Sequence, residues 1–181
     1  MLNDLLRDAA YVGRAPSVRE LLERGADPSS DDNAAMRYAC KYGRTEVVAL
    51  LLADGRSMMQ LSLTLLMDAV QGGHYEVVKL LLQDGRINPA ILESAALRFA
   101  VDAGHIEIVD ILLTDRRADP TVRDSIIVQS AVERGHGAIL QLILEDGRAD
   151  PRADEHLSIR VARYLGRHGA VKTLLLDGRI R

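Results

Sequence analysis

The chain has 181 residues, 48% of them hydrophobic and 27% charged, with a formal net charge of −3. A chain of that length and balance can bury roughly 70% of its unfolded surface, so it needs no disulfide or metal to stay folded. The acidic balance excludes bulk attraction to nucleic acid or an anionic membrane, and the one cysteine, Cys40, excludes an intramolecular bridge.

The opening Met1-Leu2-Asn3-Asp4-Leu5-Leu6-Arg7-Asp8 has neither the basic start nor the apolar stretch of a signal peptide. No apolar run approaches the ~20 residues of a membrane span. With no Asn-x-Ser/Thr acceptor site, the expected location is the cytoplasm, with the nucleus as an alternative.

The chain is one unit written six times. Alanine stands four residues before a glycine in every copy, as Ala9/Gly13, Ala39/Gly43, Ala69/Gly73, Ala100/Gly104, Ala131/Gly135 and Ala162/Gly166. The glycines follow one another at intervals of 30, 30, 31, 31 and 31 residues. Such a period indicates a solenoid, and the expectation is a single domain over residues 1–181. Its repeats run approximately over 1–30, 31–60, 61–91, 92–122, 123–153 and 154–181.

Each copy predicts two helices, since apolar residues three and four apart share one face. The first has Leu6 and Ala9 before Gly13, and closes at Gly25. The second has Met36 and Ala39, then Val47, Val48, Leu51 and Leu52 up to Gly55. The third has Leu66 and Ala69, then Val77, Val78, Leu81 and Leu82 up to Gly85. The fourth has Leu97 and Ala100, then Ile108, Val109, Leu112 and Leu113. The fifth has Val128 and Ala131, then Ile139, Leu140, Ile143 and Leu144 up to Gly147. The sixth has Ile159 and Ala162, and Gly178 after its second helix.

A glycine just past a helix takes the left-handed conformation at no steric cost. Asp27-Pro28, Asn88-Pro89, Asp119-Pro120 and Asp150-Pro151 then stop the second helices and turn the chain. The alanine column marks a close approach between layers, so Ala100→Leu is expected to cost ~1–3 kcal/mol by overpacking.

The stretches Gly73-His74-Tyr75-Glu76-Val77-Val78-Lys79-Leu80-Leu81-Leu82 and Gly104-His105-Ile106-Glu107-Ile108-Val109 are similar to the Gly-His-x-x-Val-Val-x-Leu-Leu signature of the ankyrin repeat family. The resemblance covers essentially the whole chain. It implies an all-α, ankyrin-type solenoid of about six helix-turn-helix repeats. Two features depart from the family. Its Thr-Pro-Leu-His opening is replaced by stretches such as Ala34-Ala35-Met36-Arg37, and the period is shorter than the usual ~33 residues. Shortened loops with little or no β-structure are therefore expected.

The resemblance also implies a module that binds a protein partner through a concave groove, and a non-enzymatic monomer without a cofactor or metal is expected. The groove positions it implies are the two before each turn glycine: Tyr11, Lys41 with Tyr42, Gln71, Asp102, Glu133 with Arg134, and Tyr164.

Other candidate chemistry has a plainer reading. His74, His105 and His136 share one repeat position, so they lie a layer apart and cannot share one metal ion; a structural role at the start of the second helix is favoured. Cys40 reads as a small packed thiol. Gly135-His136-Gly137 follows a helix instead of a strand, which fails the context of a phosphate-gripping loop.

A row of loop arginines, Arg56, Arg86, Arg117, Arg148 and Arg179, stands two residues after Asp54, Asp84, Asp115, Asp146 and Asp177. The local expectation is pairing with these acids and with helix C-terminal carbonyls. The alternative is docking of an acidic peptide or other polyanion, nucleic acid included. At the junction of the second and third copies, Met58-Met59-Gln60-Leu61 replaces the usual Asp-Pro turn. Local repacking is favoured there over adaptable contact.

At the ends, Asp4, Arg7 and Asp8 suit an amino-terminal cap, as do Arg160, Arg163, Arg167 and Lys172 a carboxy-terminal one. The stop at Gly178-Arg179-Ile180-Arg181 is consistent with truncation of a longer array.

Overall fold

The computed structural model describes residues 1–57, 62–152 and 157–177, without the side chains of residues 62 and 123–125. The Met58–Leu61 junction and residues Gly178 and Arg179 of the expected glycine and arginine rows lie outside the described residues. Two compact units are present, Met1–Asn88 and Pro89–Arg181.

The first unit contains α1 (Leu2–Val12), α2 (Ala15–Glu23), α3 (Ser30–Lys41), α4 (Thr45–Asp54), α5 (Ser62–Gln71) and α6 (Tyr75–Asp84). The second contains α7 (Ile91–Ala103), α8 (Ile106–Asp115), α9 (Val122–Arg134), α10 (Gly137–Asp146), α11 (Leu157–Tyr164) and α12 (His168–Leu176). No strand occurs among the described residues. Within each unit the odd helices pack on odd helices, the even on even, and each pair closes as a hairpin.

The alanine-to-glycine spacing has a backbone cause. In all six copies the N–H of the residue after the turn glycine donates to the alanine carbonyl, at 2.8–3.0 Å, as in His74 to Ala69 and Arg167 to Ala162. The turn glycines lie at φ 65–89°. Together these form the Schellman ending, which consumes helix-end carbonyls that would otherwise be orphaned.

The same alanines are core residues: Ala39, Ala69, Ala100 and Ala162 are fully buried. Met36, Leu66, Leu97 and Val128 are buried one turn earlier, and Val48, Val78, Val109 and Leu140 are buried in the second helices. Leu52, expected in the apolar stripe, is only partly buried.

The missing Thr-Pro-Leu-His opening is replaced by something the sequence did not announce. Asp31, Asp32 and Asn33 take φ 50–58°, and Leu92, Glu93 and Ser94 take φ 51–55°. Each trio is one left-handed turn feeding a right-handed helix that starts at Ala34 or Ala95. Ser94 is held in that turn by function of its hydroxyl: Oγ accepts from the Asp119 N–H at 2.7 Å. Asn3 Oδ1 accepts from the Asp27 N–H in the same manner, at 2.8 Å. The loop ends are then tied by Asp27 Oδ1, which accepts from the N–H and hydroxyl of Ser29, and by Asp119 Oδ1, which accepts from those of Thr121.

Candidate protein-recognition face

In four copies the residue after the turn glycine, Arg44, His74, His136 or Arg167, reaches back over the preceding repeat. His74 donates through Nε2 to the Lys41 carbonyl at 3.0 Å, Arg44 through Nε to the Tyr11 carbonyl at 3.0 Å, and Arg167 through Nη2 to the Glu133 carbonyl at 3.2 Å. Each side chain crosses the preceding repeat's turn glycine on the way. A Cβ on Gly43 would fall 2.5 Å from His74 Nδ1, and one on Gly104 2.8 Å from His136 Cε1. These glycines are thus required twice, for positive φ and for close approach. His74 and His136 act as spacers between layers, and the backbones of Tyr11, Lys41 and Glu133 are pinned by the next repeat.

In the first unit Tyr11 and Tyr42 meet edge to face, with ring centroids 4.9 Å apart at 82°. Tyr38, one turn before Tyr42, joins them at 5.9 Å from Tyr11. All three remain exposed at 38–48%, although neighbouring apolar positions are buried. Lys41 Nζ stands 5.9 Å from the Tyr42 ring centroid. Beside this patch, burial holds the Asp68 carboxyl above its ordinary range, opposed by Lys41 and Arg37. Gln71 is exposed on α5.

In the second unit Asp102, Glu133 and Arg134 are brought together on α7 and α9. The Ser130 hydroxyl donates to Asp102 Oδ1, which also accepts from Arg134 Nε at 3.2 Å. Gln129 Nε2 donates to Glu133 Oε1 at 2.7 Å. Arg98, Ile126 and Ile127 complete the lining of a cleft of about 360 Å³. Tyr164, at the end of α11, is 90% exposed.

The loop arginines make a different pattern. Arg86 grips Asp84 with two parallel bonds of 2.5 and 2.8 Å and adds a third to the Leu52 carbonyl at 3.3 Å. Arg117 pairs with Asp115 through two bonds of 2.7 Å. Arg148 pairs with Asp146 and donates to the carbonyls of Leu113, Ala118 and Arg116. Arg56 repeats the arrangement with Asp54 and the Leu22 carbonyl. The guanidinium hydrogen bonds hold the Asp54 and Asp84 carboxyls below the usual carboxylate range. The forks of Arg56, Arg86 and Arg148 staple one helix end to the preceding repeat.

Tyr38 and Arg98 were not singled out from the sequence. Both lie one turn ahead of the positions chosen, and i, i+4 spacing on an exposed helix face would have found them. Cys40 is fully buried, and desolvation pushes its thiol well above the usual range, which leaves it inert. No helix among the described residues is long and apolar enough to cross a membrane.

The fold has close counterparts among solved structures. An ankyrin repeat domain from Acinetobacter baumannii AYE superposes with a TM-score of 0.80 at 19% identity, covering 96% of this chain and 97% of that one. The human ASB11 ankyrin repeat domain gives 0.76 at 20% identity, covering 96% and 83%. The ankyrin repeat domain of Bcl-3, a member of the IkappaB protein family, gives 0.76 at 25% identity, covering 96% and 86%. No curated protein is similar enough in sequence to count as a relative. The model for ankyrin repeats (three copies) matches residues 6–91 and 62–124, and with every turn glycine in register the chain belongs to the ankyrin repeat family.

Proposed function

We propose that this chain is a non-enzymatic recognition module, residues 1–181 working as one monomeric ankyrin domain that offers a groove along its odd-numbered helices to a protein partner in the cytoplasm or nucleus. Ankyrin repeat domains generally mediate protein–protein interaction, and the fold is typically non-enzymatic. The observation that carries the reading here is the exposed Tyr11–Tyr38–Tyr42 cluster. Three of the chain's five tyrosines stack at one place on the surface, and tyrosine offers a large, stiff contact area with a polar tip, the side chain enriched where proteins meet.

Lys41, Gln71, Asp102, Glu133, Arg134 and Tyr164 would supply the polar remainder of the contact. Arg86, Arg117 and Arg148 are read as structural, because their forks are committed to aspartates and carbonyls. That commitment disfavours the polyanion reading, nucleic acid included. The test is affinity capture from the native source with the wild type, Tyr38→Ala/Tyr42→Ala and Arg86→Gln chains. The double tyrosine variant should lose the specific partner and Arg86→Gln should keep it. Capture unaffected by the tyrosine changes would overturn the reading.

A further inference from the structure

The cleft between α7 and α9 differs from every loop-edge pairing in what its arginines leave undone. Arg98 is two-thirds buried, yet among the described residues its guanidinium has no hydrogen-bond acceptor and only the Glu93 carboxylate at 3.9 Å. Arg134 uses Nε on Asp102, and its two terminal nitrogens have no acceptor among the described residues. The acids of the cleft are the opposite case: Asp102 receives Ser130 and Arg134, and Glu133 receives Gln129. A partly desolvated fork with unmatched N–H groups favours an incoming anion, and a planar carboxylate matches its geometry.

The charge balance selects which anion. Asp102 and Glu133 formally offset Arg98 and Arg134 in the lining, and Glu93 adds a carboxylate 3.9 Å from Arg98, so a single negative charge is accommodated more readily than the nearly double charge of a phosphate group. Ile127 is buried in the floor and Ile126 half-buried beside it, which provides apolar cover for the methylenes of an acidic side chain. About 360 Å³ is room for a side chain with its flanking backbone, near the small end of ligand sites.

From these observations we infer that the cleft takes an aspartate or glutamate side chain from an extended segment of the protein partner, its carboxylate held by Arg98 and Arg134. The inference rests on the protein-recognition reading and assigns one anchor point within it. It transfers the acidic-ligand idea from the loop edge, where the forks grip aspartates in pairs of bonds, to the α7–α9 cleft, where Arg134 commits only Nε and Arg98 has only a 3.9 Å ion pair with Glu93.

The test pans phage-displayed random dodecapeptides on the immobilised full chain, then measures binding of the enriched peptides by fluorescence anisotropy. Enriched sequences should share an aspartate or glutamate. Changing it to the amide, or using the Arg98→Gln/Arg134→Gln chain with wild-type circular dichroism, should weaken binding ~10-fold or more. Arg98→Lys, which keeps the charge and loses the fork, should give an intermediate loss. Enriched peptides without an acidic residue, or binding indifferent to Arg98 and Arg134, would overturn the inference while leaving recognition intact. So would tighter binding when phosphoserine replaces the acidic residue. A panning that enriches nothing would count against the inference and the recognition reading together.

Discussion

Replacing Gly43 with alanine tests whether the repeat layers are set by side chains resting on bare glycine. Gly43 sits at φ 66°, where a Cβ costs ~1–2 kcal/mol, partly offset by ~0.4–1 kcal/mol from a stiffer unfolded chain. Gly85, at φ 77° where an added methyl would meet no described atom within 4 Å, isolates that conformational cost, so Gly85→Ala should lose ~1 kcal/mol. At Gly43 the new methyl would also meet the His74 ring at 2.5 Å. The ring must then move and give up its 3.0 Å bond to the Lys41 carbonyl, which adds ~0.5–1.5 kcal/mol plus lost packing. Gly43→Ala should therefore cost ~2–3 kcal/mol in the wild type and only ~1 kcal/mol in a His74→Ala background. Urea unfolding of the four chains of that cycle measures the difference. Equal losses in both backgrounds, or a Gly43→Ala loss no larger than that of Gly85→Ala, would refute the spacer role of His74.

Arg116 occupies the left-handed position that glycine fills elsewhere, at φ 64°; Arg116→Gly should gain ~0.5–1 kcal/mol by thermal unfolding and Arg116→Ala should gain nothing. Ser57 Oγ is buried without a partner among the described residues, where Ala26, Ala118 and Ala149 stand in other copies. Ser57→Ala should stabilise by ~1 kcal/mol, and a loss would reveal a bond to that hydroxyl. The Asp84 carboxyl is held below its ordinary value of 3.8 by Arg86, so its contribution is present above that value and vanishes as pH falls through the lowered one. The wild type should exceed Asp84→Asn in stability at neutral pH, and the gap should close as pH falls below 3.8 and through the lowered value. A gap that persists in acid would assign the difference to packing.

The hairpins were legible because a local rule repeats. The four-residue step from alanine to glycine specifies the Schellman bond in every copy, and periodic Val, Ile and Leu specify the buried faces. The arginine–aspartate staples were readable for the same reason, being two residues apart. The left-handed turns at Asp31–Asn33 and Leu92–Ser94 were not readable. Leu92 and Glu93 have no preference for positive φ, and the turn is held by contacts such as Ser94 to Asp119, 25 residues away. The tyrosine cluster was half legible: Tyr11 and Tyr42 follow from the repeat position, whereas Tyr38 enters through helix geometry and proximity across α1 and α3. Arg98 was missed because its importance lies in an unmatched fork, which only the arrangement of neighbouring acceptors discloses.

Hydrogen–deuterium exchange of the full chain, with and without the captured partner, tests the central claim most directly. Recognition through the odd-helix face predicts that the partner slows exchange at the ends of α1 and α3, around Tyr11 and Tyr38–Tyr42, and along α7 and α9 from Arg98 to Arg134. Slowing confined to the even helices or to the arginine loops at 54–57, 84–87, 115–118 and 146–149 would contradict it.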